Sequence, residues 1–127
     1  MRAFTVGYAG KRFDAFVKLL KRNEVEAIVD VRRFPKSKYP EFVKEFLEKE
    51  LPKFGIDYWH ITELGGFRGG YEGYMKSEEF ERGAKKLLDL MERKICCIMC
   101  LERDPAYCHR RFIIKHLEDK GIIVTNL

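Results

Sequence analysis

Apolar and polar positions switch between two periods from one end of the chain to the other, short apolar runs alternating with stretches of helical spacing. Phe4 to Tyr8 predicts a strand, Gly10 a turn, and Asp14 to Arg22 a helix that buries Phe13, Phe16, Val17 and Leu20. Ala27 to Val31 is a second strand, apolar except for Asp30 near its end. Pro35 and Pro40 bracket a basic loop, and Pro40 suits the first turn of a helix carrying Phe42, Phe46, Leu47 and Leu51, which Pro52 and Gly55 then end. Asp57 to Ile61 predicts a third strand and leads into a loop holding Gly65, Gly66, Gly69, Gly70 and Gly73. A helix follows over Ser77 to Arg93, with Phe80, Leu87, Leu88 and Met91 at helical spacing. Ile95 to Leu101 is the most apolar run and predicts the central strand. Asp104 as cap and Pro105 as first residue open a last helix that runs through His116 and Leu117 to Gly121, and Ile122 to Leu127 closes the pattern as a strand.

Five strands alternating with four helices predict an α/β fold: a single doubly wound, Rossmann-like parallel sheet with helices on both faces. The 127 residues suit one domain, 1–127, with no repeat or linker to divide it. A 46% hydrophobic and 35% charged composition excludes a disordered chain. The seven-residue run Ile95 to Leu101 is far shorter than the ~20 residues of a membrane-spanning helix, so no membrane partner is expected. The first ten residues read as a strand and turn rather than a secretory leader, which makes a cytoplasmic setting the expectation.

Two further features narrow the chemistry. The net charge of +5 favours an anionic partner, a small molecule or nucleic acid. Four cysteines, Cys96, Cys97, Cys100 and Cys108, crowd the last third, where a disulfide framework would spread them; reduced cysteines without a structural disulfide are therefore expected. Cys96 and Cys97 are assigned to the core.

Ligands of such sheets bind outside the carboxyl ends of the strands. There the sequence places Tyr8 after the first strand, Asp30, Arg32 and Arg33 after the second, Glu63, Gly65, Gly66 and Arg68 after the third, and Cys100, Glu102, Arg103, Cys108, His109 and Arg110 after the fourth. Arginine's planar fork suits phosphate or carboxylate, so Tyr8, Arg32, Arg33, Gly65, Gly66, Arg68 and Arg110 are candidate anion ligands. Cys100 and Cys108 are candidate nucleophiles, and His109 a candidate for proton transfer with Glu102 or Asp30 as its carboxylate. Gly7 and Gly10 give only G-x-x-G, and the later glycine loop lacks a Walker lysine. Ala106 stands where a tyrosine-phosphatase loop needs arginine. The C-x₇-C-H spacing from Cys100 to His109 is not a zinc signature, and no metal is expected. His60 and His116 read as structural, and the sequence leaves any cofactor open.

The set Gly7-Tyr8-Ala9-Gly10 with Phe13 and Phe16, Val29-Asp30-Val31-Arg32 with Phe34-Pro35, Leu64-Gly65-Gly66, and Cys100, Glu102 with Cys108-His109-Arg110 resembles the domain-of-unknown-function family 488 over essentially the whole chain. The resemblance implies a small cytoplasmic α/β domain with candidate sites at these positions, and no particular reaction. From the residues, the first expectation is an enzyme acting on an anionic, phosphate-bearing substrate, a nucleotide or nucleic-acid fragment. The alternatives are a nucleic-acid-binding module using the basic strip Arg32 to Lys38, and a thiol-redox or sensor role for Cys100 and Cys108.

Overall fold

β-Branched and apolar runs form five strands: β1 (Arg2–Gly7), β2 (Ala27–Asp30), β3 (Asp57–His60), β4 (Cys96–Cys100) and β5 (Ile123–Asn126). Our computed structural model describes residues 1–65 and 70–127, with the backbone alone at Tyr107. All strand pairs are parallel, in the order β3-β2-β4-β1-β5. As its apolarity predicts, β4 lies at the centre, with every residue buried, its Ile98 opposite Val29 of β2 and its Cys97 opposite Phe4 of β1.

Helices cover both faces, confirming the doubly wound α/β architecture. On one face Phe16 and Leu20 of α1 (Phe13–Arg22) and Leu47 of α2 (Lys44–Glu50) pack on Val6, Ile28, Cys97 and Met99. On the other, Leu87 of α4 (Glu78–Met91) and Ile113 and Leu117 of α5 (Arg110–Glu118) pack on Val29, Ile98 and Cys100. Each large side chain fully buried in these layers contributes about 1.5–3 kcal/mol, the main force holding helices to sheet. Ser77 caps α4 by accepting a hydrogen bond from the Phe80 amide, as its place in the sequence predicts.

Three elements differ from the expected ones. The second helix is interrupted: Pro40–Phe42 and Leu51–Phe54 form 3₁₀ turns on either side of α2, with left-handed Gly55 stopping the run. A one-turn helix, α3 (Tyr71–Tyr74), rises from the glycine loop. The last helix starts five residues late. Asp104 caps a 3₁₀ turn, Pro105–Tyr107, Cys108 is extended (φ −136°, ψ 150°), and α5 begins at Arg110.

The expectation of reduced cysteines throughout is overturned, because Cys100 and Cys108 are joined as a disulfide. Crowding in the sequence concealed the pairing: the eight-residue separation spans a whole strand-to-helix connection, which folds back on its own start. Cys96 and Cys97 are free thiols buried in the core. Among the described residues, no helix is long and apolar enough to cross a membrane.

The chain leaving β1 enters α1 on one face, whereas the chain leaving neighbouring β4 enters α5 on the other, and their divergence opens a crevice between the two carboxyl ends. Gly7 is what allows the β4–α5 connection to cross that point. A Cβ there would stand 1.7 Å from the Glu102 carbonyl oxygen. Gly7→Ala should therefore displace the connection and lower stability by about 1–3 kcal/mol in denaturant unfolding. An unchanged midpoint would show that the connection does not press on β1.

Candidate functional site

Two polar groups occupy the carboxyl edge of the sheet. The first centres on Asp30, the last residue of β2, which is fully buried. A buried carboxylate needs a cation and full hydrogen bonding. Arg32, two residues on, supplies both: Nε donates to Oδ1 at 2.9 Å and Nη2 to Oδ2 at 2.7 Å. The Arg32 amide also donates to Oδ1, and the Tyr58 hydroxyl from β3 donates to Oδ2. The remaining Arg32 donor, Nη1, reaches the Tyr8 hydroxyl at 3.2 Å and the Lys36 carbonyl at 3.3 Å. Burial would lower the Arg32 pKa, but the bonds and charge of Asp30 raise it overall, while burial and then Asp30 push Tyr58 upward. His60 extends the group, its Nε2 lying 2.6 Å from the Arg32 carbonyl. Since a carbonyl only accepts, Nε2 carries the proton.

Arg33 points elsewhere, with Nη1 and Nη2 on Glu79 Oε1 and its guanidinium 5.9 Å from the Tyr74 ring centre. Gly65 lies against it so closely that a Cβ would meet the Arg33 Cα at 2.4 Å. Gly66 and Arg68 fall outside the described residues. Of the expected anion ligands, Tyr8 and Arg32 therefore share one cluster, Arg33 and Gly65 adjoin it, and Arg110 belongs to a second.

That second group is carried by the β4–α5 connection. Cys100 ends β4, the disulfide to Cys108 closes the loop, and Glu102 Oε2 lies 3.7 Å from Cys100 Sγ. One donor atom from each of Cys100, Glu102 and Cys108 lies within 4.8 Å of the others, a spacing a metal could use, but the S–S bond leaves neither sulfur a thiolate ligand. His109 directs Nε2 to the Val31 carbonyl at 3.0 Å, and its ring centre lies 5.3 Å from that of Tyr71. Burial lowers its pKa, opposed by the Val31 bond and the Glu102 charge. It is thus a neutral imidazole at neutral pH with Nε2 protonated, leaving the Nδ1 lone pair as the base.

Arg110, the first residue of α5, is completely buried and, among the described residues, has no carboxylate partner. Nη1 donates to Asn126 Oδ1 at 3.1 Å, Nη2 to the Glu102 and Arg103 carbonyls, and Nε has no partner. Lys11, whose Nζ donates to the Gly7 carbonyl, has its pKa lowered by burial and then by the charges of Arg103 and Arg110. A pocket of about 350 Å³ opens here, lined by Lys11, Arg103, Asp104, Pro105, Asn126 and Leu127. Among the described residues, none of Lys11, Arg103 and Arg110 makes an ion pair with a carboxylate.

Lys11, Asn126 and Tyr58 are polar residues that sequence reading did not select, and Arg103 was placed at the strand ends but not among the candidate ligands. Lys11 carried a usable signal, standing just past the turn that ends β1, as did Arg103 beside Glu102. Asn126 and Tyr58 carried none, because both are recruited across the sheet.

Fold and site together define a doubly wound α/β protein with a polar, cation-rich carboxyl edge. The family model described as domain of unknown function DUF488 matches residues 12–70 and 66–117. The chain belongs to this family, as the motifs suggested. No curated protein and no solved structure matches it.

Two outcomes are expected. Arg32→Met strands a buried carboxylate and should cost about 3–5 kcal/mol in unfolding free energy, with part recovered in the Asp30→Asn/Arg32→Met double variant. Equal losses in both variants would deny the pair its role. Burial also holds His109 and His116 below the ordinary 6.5. The unfolded imidazoles then take up protons first as pH falls, so their contribution is intact above 6.5 and lost below it. Denaturant unfolding across that range should show this slope, reduced in the His109→Gln/His116→Gln variant. An undiminished slope would place its source in other groups.

Proposed function

We propose that this protein is an enzyme acting on an anionic, phosphate-bearing substrate, a nucleotide or nucleic-acid fragment, bound in the crevice at the carboxyl edge of the sheet. The observation that carries the reading is that Lys11 and Arg103 line one pocket, beside Asp104 and next to the buried Arg110, and that among the described residues none of the three cations is in an ion pair with a carboxylate. Like charges this close raise one another's energy, and a phosphate group relieves the repulsion while accepting hydrogen bonds from lysine and arginine. Arg32 is a weaker candidate for the same task, because Asp30 already neutralises it.

His109, which lies outside that pocket's lining and faces β2, is the proposed proton-transfer group for the part of the substrate that extends from the pocket, a neutral imidazole with Glu102 on the same connection as the carboxylate that stabilises its protonated form. Joined to each other, Cys100 and Cys108 act as a brace holding the segment that bears Glu102, Arg103 and His109. A hydrolytic or transfer step at phosphorus needs no cysteine nucleophile in this arrangement. Asp30 acts by fixing Arg32 and, through the Arg32 carbonyl, His60.

The disulfide itself favours a second reading, thiol–disulfide exchange with a small thiol. Burial of both sulfurs, 2% exposed at Cys100 and 8% at Cys108, hinders such attack and ranks this reading below the first.

Calorimetric titration with inorganic pyrophosphate tests the site. Binding should weaken as salt rises, and Lys11→Ala and Arg103→Ala should each lower affinity about tenfold, the worth of one charge-assisted contact. In a panel of phosphoesters, His109→Gln should abolish turnover and keep pyrophosphate binding. Absence of pyrophosphate binding, or binding indifferent to both cations, would refute the reading.

A further inference from the structure

A second pocket, at the opposite edge of the sheet, shares only His60 with the Asp30–Arg32 group and nothing with the Arg110 group. Strand β3 is an outer strand, so one side of it has no neighbour. Its Trp59 is the chain's single tryptophan, and it pairs in register with Val29, which is fully buried on the face covered by α4. Trp59 itself is 46% exposed. Helix α4 stops short of covering it and leaves a pocket of about 360 Å³ lined by Trp59, His60, Ile61, Lys86, Asp89, Leu90 and Arg93. That volume lies near the lower end of the range for small-ligand sites, roughly 300–1,000 Å³.

The lining combines three chemistries. Trp59 offers a large aromatic surface, and the buried Ile61 and Leu90 provide apolar walls. The Arg93 side chain bonds the Asp89 carbonyl and, among the described residues, has no carboxylate partner, so its charge is available at the rim. Lys86 is spent on an ion pair with Glu63. Asp89 adds an acceptor able to take a hydrogen bond from an amino group. Trp59 packs part of its ring against the sheet face and leaves the rest toward the pocket, where a flat apolar group can lie against it.

We propose that this pocket binds a nucleoside monophosphate, its base stacked on Trp59 with an exocyclic amino group toward Asp89, and its phosphate on Arg93. Stacking on tryptophan serves a base's π-face, and the guanidinium fork serves the phosphate. The site stands apart from the Lys11–Arg103 pocket and does not depend on what that pocket binds.

The lone tryptophan is its own reporter. Titration with AMP should quench its fluorescence saturably, adenosine should do so with lower affinity, and inorganic phosphate alone should not. Arg93→Ala, an exposed position, should reduce AMP affinity about tenfold, to the level of adenosine, and leave adenosine unchanged. Trp59→Leu, followed by calorimetry, should lose AMP binding at this site. The Lys11→Ala/Arg103→Ala variant should quench like the original protein. Absence of saturable quenching by AMP overturns the proposal. So does quenching that survives Arg93→Ala and vanishes in the Lys11→Ala/Arg103→Ala variant, which would put the nucleotide in the other pocket.

Discussion

A guanidinium shut away from water without a carboxylate is costly, and the carboxyl edge of this protein is built around one. Arg110 is spared the full desolvation penalty because three neutral oxygens from two segments converge on it: the carbonyls of Glu102 and Arg103 and the amide oxygen of Asn126. Those bonds hold the β4–α5 connection to the end of β5. They also set where α5 can begin. With Arg110 as first helical residue and Cys108 tied back to Cys100, the intervening segment must cross the end of β1, where only a glycine at position 7 gives it room. The pocket with Lys11 and Arg103 is the space left beside that crossing.

The neighbouring cluster handles the same kind of cost in the opposite way. Asp30 and Arg32 lie two residues apart at the end of one strand and cancel each other's charge in place, with Tyr58 and Tyr8 completing their hydrogen bonds. Such a pair contributes a fixed shape more than a field. Arg110 keeps its field, since its partners are dipoles rather than an anion. The two arginines, equivalent as letters in the sequence, therefore differ in what they offer a ligand.

That difference marks the boundary of what the sequence made legible. The strands, both helical layers and the central place of β4 follow from periodicity and from the unbroken apolar run, because hydrophobic burial acts on every residue of an element at once. The carboxyl edge was also predictable as the place to look, and Cys100, Glu102, His109 and Arg110 do assemble there. Whether a given arginine is neutralised was not legible, since the answer lies in tertiary contacts: Glu79 for Arg33, Asn126 for Arg110, Tyr58 for the Asp30–Arg32 pair. The start of α5 was misplaced for a related reason. Asp104 and Pro105 are sound helix-opening residues and do open a turn, but the disulfide and the burial of Arg110 override local propensity and delay the helix itself.

Strand order decides how these parts can work together. Because β1 and β4 are neighbours whose following chains depart to opposite faces, Lys11 and Arg103 reach the crevice from two independent segments, and neither needs the other in order to be placed. His109 is placed differently, by a bond to Val31 just past β2 and by the ring of Tyr71, so its position depends on the other half of the sheet. The β4–α5 connection touches both halves. It carries cations toward β5 and an imidazole toward β2, and the disulfide at its base limits how far either can move relative to the sheet.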